Sequence, residues 1–344
     1  MDRRREQINK TLDSMASARL SAVEREIVSN YRDVGDAVAT QLTQFGRKYG
    51  DGNGKLTLGA MERLSPQGSA ALGRKVNRLQ WMERQIDERV MKILVQNDAY
   101  QLRAVQAILQ DGYYQNAWAT AMQVGVDLPF GPIAFDAVEQ LVAYPLSNLA
   151  DSTVMSLNRR EVVVSINREL RRGITLGEGY GKIAKRVDFV LGYRSADGKV
   201  IVDKRGELYK SLRIVRTEGN RAYSAGHWTA RQRAEKLGVI SKRQWLATLD
   251  GQTRDRHGAL DGTYADEDGL FRINGFSARF PGDFGDGSMD INCRCRVIDV
   301  IEGLEPSVRR SRDEGVIPYE SYESYAKRKG IKLVNAPAQF DVKP

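Results

Sequence analysis

The sequence is poor in the residues that would assign it to a specialised class of protein. Its 344 residues include two cysteines, two histidines and nine prolines. Cys293 and Cys295 are one residue apart, which is too close along a strand for a relaxed disulfide, so a reducing compartment is expected. No run approaches the roughly 18 apolar residues that cross a membrane. The basic N-terminus, MDRRREQINK, lacks the apolar segment of a secretory signal. We therefore expect a soluble protein without a membrane anchor.

The common hydrolase motifs are also missing. The sequence contains neither H-E-x-x-H nor G-x-S-x-G. The segment GEGYGK at 177–182 approximates a P-loop, but Leu176 and Ile183 occupy the positions where that motif needs a glycine and a serine or threonine. We interpret it as a turn between helices. The net charge of +9 suits a polyanionic partner such as nucleic acid, and it equally suits plain solubility.

The first third of the chain has the periodicity of long helices. Apolar residues recur every three or four positions from Ile8 to Phe45, and again from Leu72 to Leu109. The segment KYGDGNGK at 48–55, with three glycines, separates the two runs. This pattern predicts an antiparallel helical hairpin in which each helix covers the apolar stripe of the other. The prolines of 127–132 predict a break after it.

The following segments predict shorter elements. A helix should begin at Asp151 or Ser152, run through Leu170 and end with Gly173 at C′. Further predictions are a short helix through Ile183 and Val187, a hairpin or flexible excursion at 195–204, a helix over 210–237 with a Glu218–Arg221 pair, and a strand over 244–249. The tyrosines Tyr319, Tyr322 and Tyr325 form one helical stripe that should pack on the parent domain. Residues 335–344 read as an unfixed tail.

Most residues suited to site chemistry lie between 213 and 299, chiefly in WLATLDGQTRDRHGALD (245–261) and PGDFGDGSMDINCRC (281–295). Residues 291–297 alternate between apolar and polar, which predicts a strand with the thiols of Cys293 and Cys295 on one face. The strand before Asp250 should place that carboxylate at the start of a turn, and His257 follows on a loop or single helical turn.

Several interpretations of this cluster remain open. Cys293, Cys295 and His257, with Asp250 as a fourth candidate, offer thiolate, imidazole and carboxylate ligands for one structural Zn²⁺. Alternatively, the cysteines are small core residues and His257 is hydrogen-bonded to Asp250 or Asp261. A third possibility is catalysis, by a cysteine nucleophile with His257 as its base or by a metal nuclease.

Four arginines flank the cluster. Arg254 and Arg256 lie on the loop, and Arg294 and Arg296 lie on the polar face of the predicted strand. Together they could contact phosphates without sequence preference. They could equally form ion pairs with the neighbouring aspartates.

Taken together, these patterns predict a mainly α chain with a smaller α+β domain, in which a long N-terminal helical hairpin precedes short strands and irregular loops. We expect an elongated helical region at 1–126, an α+β domain at 127–303, and a charged helix and tail at 304–344.

The ordered blocks RTEGNRAYSAGHW, W-x4-D-x-x-T-R-x-x-H-x-x-L-D-G, PGD and NCRC resemble the MuF-like family of phage minor head (head morphogenesis) proteins. The resemblance covers about the second half of the chain. Asp290-Ile291 stands where this family would have His-Pro, so one potential metal ligand of the family is missing here.

The resemblance implies a non-enzymatic virion protein, present in few copies inside the capsid. During assembly it would be located in the host cytoplasm. Its implied partners are the portal protein, capsid or scaffolding proteins, and double-stranded DNA bound without sequence specificity. The alternative is a metal-dependent DNA-processing or modifying enzyme packaged in the virion. An assembly protein requires long helices for docking, whereas the enzyme requires a solvent-open cleft at His257.

Overall fold

The computed structural model describes residues 2–49, 69–134, 138, 141, 152–196, 199–301 and 306–331. The helices in these residues are α1 (Asp2–Tyr49), α2 (Ser69–Val124), α3 (Ser152–Thr175), α4 (Tyr180–Leu191), α5 (Glu207–Lys236), α6 (Asp255–Ala259), α7 (Gly287–Asp290) and α8 (Tyr322–Lys329). The strands are β1 (Tyr193–Ala196), β2 (Lys199–Val202), β3 (Lys242–Leu246), β4 (Phe271–Ile273), β5 (Phe276–Ala278), β6 (Arg296–Val300), β7 (Val308–Ser311) and β8 (Gly315–Pro318). The predicted fold class, mainly α with a smaller α+β part, is confirmed.

The two long N-terminal helices form the predicted antiparallel hairpin. Later residues of α1 contact earlier residues of α2, as an antiparallel arrangement requires. The contacts are Arg19 with Asp111 at 2.7 Å, Asn30 with Asn97 at 3.1 Å, and the rings of Phe45 and Trp81 with centroids 6.5 Å apart. The stripe of α1 is buried at Val23, Ile27, Val34, Val38 and Leu42. Each such side chain contributes about 1.5–3 kcal/mol on burial, so packing rather than intrinsic propensity holds the helices.

The helix α2 continues beyond the predicted run and ends at Val124, immediately before the predicted break at 127–132. The Gly-rich loop at 50–55 and the tail at 335–344 lie outside the described residues. No helix in the described part of the chain is both long and apolar enough to cross a membrane.

Contacts divide the chain into two compact units. The first comprises Met1–Ser21, Ala104–Ser147 and Val215–Pro344, and the second comprises Ala22–Arg103 and Asn148–Ile214. The predicted domain boundaries after residues 126 and 303 stay predictions.

Within the second unit, α3 and α4 pack closely, and β1 pairs with β2 as the predicted hairpin. The predicted helix end at Gly173 is wrong, because α3 continues to Thr175 and the left-handed residue is Gly177 (φ 66°). Gly173 has a packing role instead. A Cβ at that position would lie 2.6 Å from Cγ1 of Ile183 on α4, so only glycine permits this approach of the two helices.

The first unit contains the short strands. The strands β3 and β6 pair antiparallel with Trp245 opposite Val297, while β4 pairs with β5 and β7 with β8. Trp245 is completely buried at the centre of a core that also holds both cysteines. The predicted docking of the tyrosine stripe is confirmed for Tyr322 and Tyr325, which are 2% and 1% exposed in the same core, while Tyr319 is partly buried.

A buried ion pair fixes α8 to this core. The Arg309 guanidinium donates to both carboxylate oxygens of Asp261 at 2.8 and 2.9 Å, and the same carboxylate accepts the backbone N–H groups of Ala247 and Tyr322. Nothing in the local sequence pattern signals this pair, because the two residues are 48 positions apart.

Candidate metal centre

The candidate centre is formed by one short helix and one turn. His257 lies on α6, and Cys293 and Cys295 lie in the turn between α7 and β6. The prediction of a strand over 291–297 is wrong for residues 291–295, because β6 begins at Arg296. Asn292 adopts a left-handed backbone (φ 56°), and the N–H of Cys293 bonds to the carbonyl of Asp290. Asparagine tolerates that conformation, so a tight turn brings the thiols together instead of a shared strand face.

The three side chains converge closely. Nδ1 of His257 lies 3.4 Å from Sγ of Cys295 and 3.6 Å from Sγ of Cys293. One ligand atom from each residue lies within 4.8 Å of the other two. The side chains are 2–3% exposed, and the His257 ring meets Trp245 edge-on at 5.9 Å. The structure therefore assembles three soft or borderline ligands in an apolar, water-poor pocket.

The distances match those of a tetrahedral zinc site. With Zn–S of about 2.3 Å and Zn–N of about 2.0–2.1 Å, a tetrahedral ion separates its sulfur and nitrogen ligands by about 3.5–3.6 Å. The observed separations are 3.4 and 3.6 Å. A Zn²⁺ ion would therefore fit with little movement of these side chains.

The two thiols are electrostatically unequal. A hydrogen bond from Cys293 lowers the pKa of the Cys295 thiol well below its usual range, and His257 adds to this effect. The same thiol pairing, followed by burial, raises the pKa of Cys293. In a pocket that cannot solvate charge, two unpaired thiolates would be costly. A divalent cation would allow both sulfurs to ionise.

Asp250, the fourth ligand predicted from sequence, is not brought to this centre. Its carboxylate is buried and holds Arg294 at 2.7 and 3.0 Å and Arg312 at 3.5 Å. It also accepts the backbone N–H of Gln252 at 2.9 Å, so it anchors the loop leading to α6. His257 contacts the thiols rather than Asp250 or Asp261, and its Nε2 atom has no hydrogen-bond partner among the described residues.

Asp290 is a functional candidate that the sequence interpretation passed over. The residue is 1% exposed, and its carboxylate accepts the N–H groups of Phe284 at 3.2 Å and Gly285 at 2.8 Å. Burial raises the pKa of Asp290 to about 6. These bonds tie the Gly-rich 281–287 loop to the turn that carries the thiols. The only sequence signal was its position where the family would have histidine.

The four arginines of the predicted phosphate patch have different surroundings. Arg254 donates to the carbonyls of residues 289 and 291, and Arg294 is paired with Asp250. Arg296 donates to Asn220 and covers the ring of residue 223 at 4.6 Å. Arg256 is exposed, with its guanidinium 5.2 Å from the ring centroid of residue 276. Three of the four thus brace the turn and strand around the thiols, and nucleic-acid binding by the set stays a prediction.

The candidate centre lies within a segment that is similar to a known protein family. Residues 164–298 match the family described as Phage Mu protein F like protein, a range that includes His257 and both cysteines. Over 339 residues the chain is 29% identical to minor head protein GP7 of Bacillus phage SPP1, with 94% of this chain and 97% of that protein covered.

A second relative is the NAD(+)--arginine ADP-ribosyltransferase EFV of Enterococcus faecalis, 31% identical over 220 residues. That match covers 63% of this chain, and the chain spans only 42% of the length of that relative. No solved structure matches the chain at a significant level. The family match over residues 164–298 and the nearly full-length relative confirm the resemblance found in the sequence blocks: the chain is similar to the MuF-like family of phage minor head proteins.

Proposed function

We propose that this protein is a structural component of the interior of a tailed-phage head, where it takes part in head morphogenesis at the portal and contacts the packaged DNA. The observation that carries the proposal is the match over 97% of a minor head protein, because it includes the helical hairpin as well as the MuF-like domain. The long helices provide docking surface for portal, capsid or scaffolding proteins. On this proposal the chain is made in the host cytoplasm and incorporated during assembly.

The surroundings of His257 support an assembly role over DNA processing. A DNA-processing enzyme needs its reacting group in contact with substrate. His257 is 2% exposed and lies against the rings of Trp245 and Phe284. The Enterococcus faecalis relative lends no transferase activity to this chain, because more than half of its length lies outside the match.

The proposal includes a structural Zn²⁺ held by Nδ1 of His257 and the sulfurs of Cys293 and Cys295. Bound there, the ion would join α6 to the turn before β6. Its binding free energy would then add to the folding free energy of the first unit. Asp250 is excluded as the fourth ligand, because two arginines already occupy its carboxylate.

Co-assembly with the portal protein of the same phage tests the head-protein proposal. The full chain should co-purify with tagged portal protein and enter capsid shells assembled with it. Shells assembled without portal protein provide the control and should leave the chain in the soluble fraction. Equal incorporation into both kinds of shell would overturn the portal assignment. If His257→Ala left assembly intact but abolished a DNA-cleaving activity of the purified chain, the structural interpretation would be wrong.

A further inference from the structure

A cavity of about 490 Å³ opens in the second unit, between α3, α4 and the turn that joins β2 to α5. It is separate from the cysteine and histidine centre. Cavities of this size accommodate small ligands or part of a polymer. Its lining is dominated by long cationic side chains, including Arg168, Arg172, Lys185, Arg186 and Arg205.

The lining has an excess of positive charge, although Glu178 pairs with Lys182 and Arg186, and Asp203 pairs with Arg205. Six basic residues face three acidic ones, Glu169, Asp203 and Glu207. Arg168 and Arg172 are 69% and 63% exposed, and among the residues that the structure describes their ion-pair partner is Glu169, at 4.0 Å from each. Arg186 approaches the same carboxylate at 3.4 Å. Arg168 and Arg172 thus share this carboxylate with Arg186, whose shorter contacts are to Glu178, and an anion from outside would relieve the repulsion among the three guanidinium groups.

One of these cations is held in a fixed orientation. Nε and Nη2 of Arg186 donate to the two carboxylate oxygens of Glu178 at 2.6 and 2.7 Å. This bidentate pair fixes the guanidinium plane at the cavity wall, so binding would not have to order that side chain. The remaining cations are exposed and can adjust to a ligand.

An aromatic side chain lies among the cations. Phe189 is 54% exposed, and the guanidinium of Arg205 lies 5.9 Å from its ring centroid. Lys185 precedes Phe189 by four residues, and Arg168 precedes Arg172 by four, so each helix presents its pair on one face. Cations interleaved with an exposed ring are the elements that bind a nucleic-acid strand, through its phosphates and through stacking.

We propose that this cavity binds the phosphate backbone of nucleic acid, with Arg168, Arg172 and Lys185 as its main phosphate contacts. It would bind without sequence preference, since the cavity offers charges rather than a set of donors and acceptors that reads base edges. This inference rests on the DNA contact in the proposed function and is independent of the portal contact. It assigns the DNA contact to a surface with exposed cations. The arginines around the thiols are less suited to it, because most of them brace loops.

The test is the salt dependence of DNA binding by the full chain. Each phosphate contact contributes about −0.9 to the slope of log Kobs against log salt for duplex DNA. The variant Arg168→Gln/Arg172→Gln/Lys185→Gln should therefore reduce the steepness of that slope by about 2–3, with at least a tenfold loss of affinity at about 50 mM salt. Fluorescence anisotropy with a short labelled duplex, between about 50 and 200 mM salt, measures both quantities.

The matched control removes the same charge elsewhere in the same unit. Arg84, Lys92 and Arg103 are exposed residues of α2 outside the cavity, and their triple glutamine variant should change the slope by less than about 1. Equal losses in the two triple variants would overturn the proposal, because net charge alone would then explain binding. The single variant Arg168→Gln, expected to change the slope by about 1, replaces the triple variant if the latter fails to fold.

A competition arm identifies the source of the phosphate. On the proposal, inorganic phosphate or a mononucleotide displaces the duplex only at a large excess, because each supplies at most a few of the contacts. Displacement at stoichiometric concentration would overturn the nucleic-acid assignment in favour of a small phosphate ligand. Co-purification of the triple variant with portal protein is measured in parallel, so a failure of DNA binding and a failure of head assembly are distinguishable.

Discussion

Replacing the two cysteine ligands of the candidate zinc site, Cys293→Ser/Cys295→Ser, gives the sharpest test of the metal centre. Purified wild-type protein should contain about one zinc per chain, as measured by plasma mass spectrometry, and the double variant should contain none. The expectation follows from a histidine nitrogen whose distances to both sulfurs already match those around a tetrahedral ion.

The expected loss of stability follows from linkage. An ion that binds only the folded state stabilises it by RT ln(1 + [L]/Kd), about 2.7 kcal/mol at 100 times Kd and about 4.1 kcal/mol at 1,000 times Kd. For a unit of roughly 150–250 residues, each kcal/mol corresponds to about 2–4 °C in Tm. Removing the metal from the wild type with a chelator should therefore lower Tm by about 5–16 °C.

The mutations alone would not separate a metal site from a packed core. Both thiols are 2–3% exposed, and placing a hydroxyl in that apolar pocket costs about 1–3 kcal/mol per site whether or not a metal binds. The decisive quantity is chelator dependence. Chelation should destabilise the wild type and leave the serine variant unchanged.

His227 supplies the matched control, because it is also a largely buried histidine but lies on α5, with its Nε2 atom 3.5 Å from a carboxylate oxygen of Asp299. His227→Ala should retain zinc and its chelator response, and His257→Ala should lose both. A wild-type protein without metal, with a Tm that chelators do not change, would refute the zinc assignment. The cysteines would then be core residues, and His257 a packed imidazole facing a thiol.

Two further predictions concern the second unit. Gly173→Ala should cost about 1–3 kcal/mol in urea unfolding, because its Cβ would overlap Ile183 at 2.6 Å. Gly181→Ala, with nothing within 4 Å of the added Cβ, should be neutral or stabilising by up to about 1 kcal/mol, and an equal loss in both would contradict the packing argument. The pKa of Glu178 is lowered to about 2, chiefly by its hydrogen bond from Arg186. The contribution of ionised Glu178 to folding stability is therefore fully present above the ordinary glutamate pKa of 4.5, and it is lost as the pH falls toward 2. As the pH is lowered between these values, the urea midpoint of the wild type should fall, and that of Glu178→Gln should vary less. Identical pH profiles would refute the stabilising role of the Glu178–Arg186 pair.

The elements that sequence periodicity predicts best are those that depend on local repetition. The hairpin helices were predictable because a stripe of apolar residues every three or four positions has one stable solution, burial on a neighbouring helix. The end of α3 was missed because Gly173 resembles a left-handed cap in sequence. The structure shows that its missing side chain serves the approach of Ile183, a residue ten positions further on.

For the candidate centre, too, some features follow from the sequence and others only from the tertiary structure. The sequence alone determined which side chains were available: a histidine and two cysteines in two blocks that resemble one family, together with neighbouring aspartates and arginines. Only the tertiary structure decided which of them meet. Asp250 lies with Arg294 and away from the thiols, and a left-handed Asn292, not a strand, aligns Cys293 with Cys295. The physical reason is distance along the chain. His257 is 36 and 38 residues from its partners, so their convergence depends on the packing of the core around Trp245, which no local pattern records.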